Sequence, residues 1–180
     1  MHGADEAGNH GIEAGVAAHG GVRLLSFPRA YRLKRRSLIG ALFAGRGSKA
    51  PSPAVLPDGS YSTLPSTVSH GVVRILYRIS PRESSGTTVP YQIGFSVPRR
   101  VKRAVDRNRL KRLLRAAFQQ NRRLMDNLTI PEGWQVSAMV LFRGEGRVSE
   151  RAVGPDTVSA LRKLERALAK VLHADSDTNS

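Results

Sequence analysis

The sequence contains no cysteine. That excludes a disulfide scaffold, cysteine zinc sites, iron–sulfur clusters and a thiol nucleophile. No stretch approaches the run of about eighteen apolar residues that spans a bilayer as a helix, so no membrane partner is expected. The N-terminus lacks the basic-then-apolar pattern of a secretory leader, and the chain reads as a cytoplasmic protein. Acidic residues are scarce: 14 Asp and Glu stand against 29 Lys and Arg, a formal charge of +15 over 180 residues. Aromatics make up 6%, but hydrophobics at 40% and charged residues at 24% are ordinary for a globular chain. The length suits one domain.

The positive charge is concentrated. Residues 1–22 hold Asp5, Glu6 and Glu13 and no Lys or Arg, and residues 173–180 hold Asp175 and Asp177 and no base. All 29 basic residues lie between Arg23 and Lys170 with only 9 acids, a net of +20. A compact body so basic repels itself unless a polyanion is near, which points to nucleic acid or another anionic partner. The composition divides the chain into a flexible arm (1–22), a basic domain (23–172) and a disordered tail (173–180). His2, His10 and His19 in the arm are too widely spaced to suggest a metal site. Within the domain, residues 48–67 carry Pro51, Pro53, Pro57 and Pro65 among Ser, Gly and Thr, the composition of a mobile loop.

Periodicity supplies the elements. Leu38, Ile39, Leu42 and Phe43 recur at helical spacing within Leu33–Phe43, and Gly45 and Gly47 end that helix. Val68–Ile79 alternates as a strand, followed by a turn near Pro81–Gly86 and a hairpin to a second strand over Thr87–Val97. Tyr91, Ile93, Phe95 and Val97 share one face of that strand. Gln92, Gly94 and Ser96 share the other, which meets water or admits a close ligand. Arg103–Arg123 is the strongest helix, with Leu110, Leu113, Leu114, Ala117 and Phe118 on one stripe. Gln135–Phe142 reads as an apolar strand. A last helix starts after Pro155, capped by Asp156 or Thr157, with Val158, Leu161, Leu164, Leu168 and Val171 as its apolar stripe. The fold class is α+β: a two-layer α/β sandwich in the order α-β-β-α-β-α.

The segment from Arg99 to Arg123 holds 11 bases and one acid, Asp106. Opposite the apolar stripe, Asn108, Lys111, Arg112 and Arg115 form a polar face flanked by Arg107 and Arg109. Like charges at i, i+4, as in Arg103, Arg107, Lys111 and Arg115, destabilise an isolated helix by a few tenths of a kcal/mol each. Solvation alone needs no such arrangement. Guanidinium forks hold phosphate oxygens in pairs and stack on bases, so a polyphosphate partner explains the composition. No zinc-protease, phosphate-loop or serine-hydrolase motif occurs, so no catalytic residue is assigned. Two other readings share the charge: a structural RNA binder such as a ribosomal protein or chaperone, and a DNA-binding helix protein. The second lacks the short helix that precedes a recognition helix.

The stretch from Gly94 to Arg115, GFSVPRRVKRAVDRNRLKRLLR, resembles the signature of the bacterial ribonuclease P protein subunit. Arg107-Asn108-Arg109, then Lys111-Arg112 and Arg115, form its core. Arg32–Arg36 leading to Leu42-Phe43, Leu76-Tyr77 and Leu141–Arg143 agree in order, so the likeness covers residues 29–171. The resemblance implies a ribosomal-protein-like fold with a left-handed βαβ crossover. It also implies a role as accessory to a catalytic RNA, which with Mg²⁺ removes the 5′ leader of precursor tRNA as an endonuclease. The implied RNA-binding residues are Arg99, Arg100, Arg103, Arg107, Asn108, Arg109, Lys111, Arg112 and Arg115, and the implied leader-cleft aromatics are Phe43 and Tyr77. Tyr77 shares its strand face with Val73, Ile75 and Ile79, so alternation also allows it a place in the core, and Phe43 near a helix end allows both. Ile39 stands where the family has a second aromatic, Lys102 replaces a glycine, and the 1–22 arm and 48–67 loop exceed the family pattern.

Overall fold

The computed structural model describes residues 27–44, 61, 64–145 and 148–173. The 1–22 arm, most of the 48–67 loop, the tail beyond His173 and the glycines at 45, 47 and 146 lie outside the described residues. After a 3-10 turn at Arg29–Tyr31, the elements are α1 (Arg36–Phe43), β1 (Ser66–His70), β2 (Val73–Pro81), the one-turn α2 (Arg82–Ser85) and β3 (Tyr91–Ser96). There follow α3 (Ala104–Gln120), the one-turn α4 (Arg123–Asp126), β4 (Trp134–Phe142) and α5 (Val148–His173). The α+β class, with helices packed on a small sheet, is as expected, with differences inside it.

Alternating burial builds the sheet. Val73, Ile75, Tyr77 and Ile79 of β2 turn to one face and are buried, while Arg74, Leu76 and Arg78 face the other way and are half-buried. Leu110, Leu114 and Phe118 of α3 and Leu161, Leu164 and Leu168 of α5 close over the first face in one continuous core. Phe118 meets Phe27 and Phe95 edge to face, with ring centroids 5.5 and 5.9 Å away. On the second face, short α1 lays Leu38 and Leu42 beside Leu33 and Met139. Gly94 of β3 belongs to this face. A Cβ there would stand 2.7 Å from Met139 Cε, so the methionine fills the space that the missing side chain leaves.

The strand order is β1-β2-β4-β3, antiparallel except for the parallel β3–β4 pair. Two sequence expectations change here. The Val68–Ile79 strand is a hairpin of β1 and β2, turning at Gly71 and Val72. Gly71 has φ +47°, a value that favours glycine, and Asp156 Oδ2 accepts the Val72 N–H at 2.8 Å. The expected hairpin between residues 79 and 87 does not form. β4 lies between β2 and β3, antiparallel to the first and parallel to the second, and α3 with α4 makes the crossover.

The last helix also differs. It begins at Val148 and passes through Pro155, so Asp156 caps the β1–β2 turn rather than a helix start. Pro155 and Arg151, whose carbonyl it leaves without an intrahelical donor, are both exposed. Within the loop expected to be mobile, Ser66 and Thr67 belong to β1, and Tyr61 is buried with its ring 4.8 Å from that of Trp134.

Candidate nucleic-acid interface

α3 is fixed by its buried side. Leu110, Leu114, Ala117 and Phe118 are buried, and burying one large apolar side chain contributes about 1.5–3 kcal/mol. Its outer side is thereby presented on a rigid support. Arg103, Asn108, Arg109, Arg112 and Arg115 are exposed, as are Arg99 and Arg100 in the preceding loop, while Arg107 and Lys111 are half-buried.

The cations of this surface have different duties. Arg107 turns back on the loop that enters the helix and donates to the carbonyls of Val101 at 2.8 Å and Lys102 at 2.7 Å. It stabilises the helix entrance, where no side chain caps the first N–H groups. Arg109 pairs with Glu150 at the start of α5. Arg100 donates to the carbonyl of Arg143. Arg115 stands 5.9 Å from the Phe95 ring centroid, at the outer limit of a cation–π contact. The side chains of Arg99, Arg103, Asn108, Lys111 and Arg112 have no hydrogen-bond or ion-pair partner among the described residues.

Sequence reasoning missed two features of the site. Val105 is 76% exposed and shares its helix face with Arg109 and Arg112, at i+4 and i+7. The expected apolar stripe does not include it, so its exposure sets an apolar contact among the guanidiniums. A cluster at the end of α3 is the second. Tyr91 donates its hydroxyl hydrogen to Asp126 Oδ1 at 2.5 Å, and Arg122 Nε reaches Tyr91 Oη at 3.0 Å. Arg122 also covers the Tyr31 ring at 4.3 Å. Burial, and then Asp126, raises the Tyr91 pKa well above the usual phenol value. The i, i+4 spacing of Arg122 and Asp126 was the only local sign of this lock.

The two cleft aromatics separate. Tyr77 is 2% exposed and lies in the main core. Burial pushes its phenol up to about 12, against a lowering by the Ser66 hydrogen bond. It is therefore a core residue and not a cleft residue; its strand neighbours Val73, Ile75 and Ile79 fix the face it takes. Phe43 is half-buried on the opposite face, packed with Ile39, Leu76 and Leu141 around the Met139 cluster.

A cavity of about 710 Å³ lies where the α3 entrance, the end of β4 and the start of α5 meet. Arg100, Lys102 and Arg109 line it together with Asp106, Glu145 and Glu150, so charges of the two signs balance there. Among the described residues no group of three or more His, Asp or Glu could hold a metal ion. No described helix is long and apolar enough to cross a membrane.

The chain matches the Ribonuclease P family over residues 27–165. It belongs to that family. The match includes all of α3, the crossover and most of α5. Among solved structures it is similar to the RNase P protein of Staphylococcus aureus, with 15% identity over 79% of this chain and 97% of that one and a TM-score of 0.43. It is also similar to the RNase P protein of Thermotoga maritima, with 19% identity over 78% of this chain and 96% of that one and a TM-score of 0.41. No curated protein sequence matches it.

Proposed function

We propose that this chain is the protein subunit of a cytoplasmic ribonuclease P, in which the outer face of α3 binds the catalytic RNA. The observation that carries this reading is the set of exposed, internally unpartnered groups on a rigid helix, Arg103, Asn108 and Arg112, in a chain of the Ribonuclease P family. The rigid helix fixes the spacing of these side chains, so only their rotamers have to be ordered on meeting phosphate. Each phosphate contact also releases counterions from the RNA. Arg109 contributes when phosphate replaces Glu150. Arg107 acts from behind, by shaping the loop that carries Arg99, Arg100 and Arg103.

The 5′ leader of precursor tRNA lies against the α1 side of the sheet, where half-buried Phe43 supplies a face for stacking. Hydrolysis belongs to the RNA and its Mg²⁺, which activates water and stabilises the leaving oxygen. The protein contributes counter-charge, positioning and affinity for the leader, and no side chain of its own breaks the bond.

Reconstitution tests this. A bacterial RNase P RNA transcript is assayed for 5′ processing of precursor tRNA with and without the protein, at Mg²⁺ levels where the RNA alone is slow. Faster release of the leader at the correct site supports the reading. An unchanged rate, with the protein folded and in excess, refutes it.

A further inference from the structure

α5 carries a second basic surface that the arginine signature does not include. Its inner side, with Val153, Ala160, Leu161, Leu164, Leu168 and Val171, is buried in the core. Its outer side presents Arg162, Arg166 and Lys170, all exposed. These follow one another at i, i+4 and i+8, so they form a single row with a rise of about 6 Å from one cation to the next.

The acids of α5 do not neutralise this row. Glu150 is turned to Arg109. Asp156 is held by the Val72 N–H and lies 3.8 Å from His70 Nε2. Glu165 is half-buried on another flank and makes no ion pair among the described residues. Lys163, beside the row, is committed to the Ser69 carbonyl at 3.0 Å. Arg162, Arg166 and Lys170 have no partner among the described residues. Like charges one turn apart weaken a helix, and no ion pair among the described residues offsets them.

The position of the row selects its occupant. α3 and α5 pack against each other in one layer over the same sheet face, and packed helices lie 8–10 Å apart. A structured RNA seated on Arg112 and Arg115 therefore extends over the neighbouring helix, where the charge is complementary to it. We propose that Arg162, Arg166 and Lys170 form a second phosphate-binding track that grips the backbone of the same catalytic RNA. This rests on the functional reading above and adds a second contact surface to it.

The test is the salt dependence of binding to an RNase P RNA transcript by the full chain. The variant Arg162→Gln/Arg166→Gln/Lys170→Gln removes the row without touching the core, and its helicity and thermal midpoint should equal or exceed those of the parent. The slope of log K against log salt should fall by roughly 2 to 3 units, whereas Arg162→Lys/Arg166→Lys should keep it. In the reconstituted enzyme the KM for precursor tRNA should be unchanged at saturating protein. An unchanged slope for the glutamine variant, while Arg112→Ala/Arg115→Ala lowers it, overturns this inference and leaves the functional reading standing. If both variants leave the slope unchanged, the functional reading itself fails. A raised KM for precursor tRNA with undiminished RNA binding places the substrate on α5 and also overturns the inference.

Discussion

Arg109 of α3 is paired with Glu150 of α5, although the arginine side chain remains 70% exposed and the glutamate only 22%. The arginine belongs to the signature triplet, and the carboxylate occupies its fork from a neighbouring element. The guanidinium stands largely in water, which screens the pair and holds its contribution to the fold to about 1 kcal/mol, so phosphate can displace the carboxylate. Glu150→Gln should leave the thermal midpoint nearly unchanged, tighten RNA binding and steepen its salt dependence by roughly 1 unit. Binding isotherms at several salt concentrations check this, and weaker binding by a folded variant would show that the pair orients Arg109 for the RNA.

Arg107 and Arg112 should respond differently to truncation. Arg107→Ala removes two hydrogen bonds to the carbonyls of Val101 and Lys102, each worth about 1 kcal/mol, and should lower the thermal midpoint. Arg112→Ala breaks no contact within the described protein, so its midpoint should hold while the salt slope of RNA binding falls by roughly 1 unit. Thermal melts beside binding isotherms separate the two.

The phenol of Tyr77 predicts an alkaline limit to stability. Its pKa rises from 10.0 unfolded to about 12 in the fold. Between those values the native state holds a proton that the unfolded chain has lost, so the contribution of Tyr77 to stability is complete below pH 10 and is lost as pH rises toward 12. Tyr77→Phe should flatten part of this decline and keep pre-tRNA processing, at a cost of about 1 kcal/mol for the lost hydrogen bond. Phe43→Ala should instead raise the KM for precursor tRNA with a smaller loss of stability than Tyr77→Ala, which opens a core cavity costing about 3–5 kcal/mol.

Gly71→Ala should be costly for two reasons. The residue has φ +47°, and an added Cβ would fall 2.0 Å from Asp156 Oδ2. The left-handed strain alone costs roughly 1–2 kcal/mol, and displacing Asp156 frees the Val72 N–H. Asp156→Ala should show the second loss without the first. Equilibrium denaturation of both variants measures the difference, and a neutral Gly71→Ala would mean that the turn relaxes elsewhere.

α3 was legible because its apolar spacing and its arginine density lie within one contiguous segment. The element types also follow from local periodicity. Strand order does not, because alternation marks which face of β2 is buried without naming its neighbour, and that neighbour, β4, arrives only after the crossover. The β1–β2 turn was hidden for a similar reason: Gly71 sits among strand formers, and its cap, Asp156, is 85 residues away along the chain. Alternation placed Tyr77 with Val73, Ile75 and Ile79, and packing kept it there. Arg107 and Arg109 were legible as cations, but their internal partners, loop carbonyls and the α5 carboxylate, emerge only from tertiary contact.

The most direct measurement is the salt dependence of catalytic-RNA binding by Arg112→Ala/Arg115→Ala. Exposed guanidiniums on α3 that grip phosphate predict a slope lower by roughly 2 units and weaker binding, with the fold intact by circular dichroism. An intact variant that binds the RNA with the parent's slope would contradict the account.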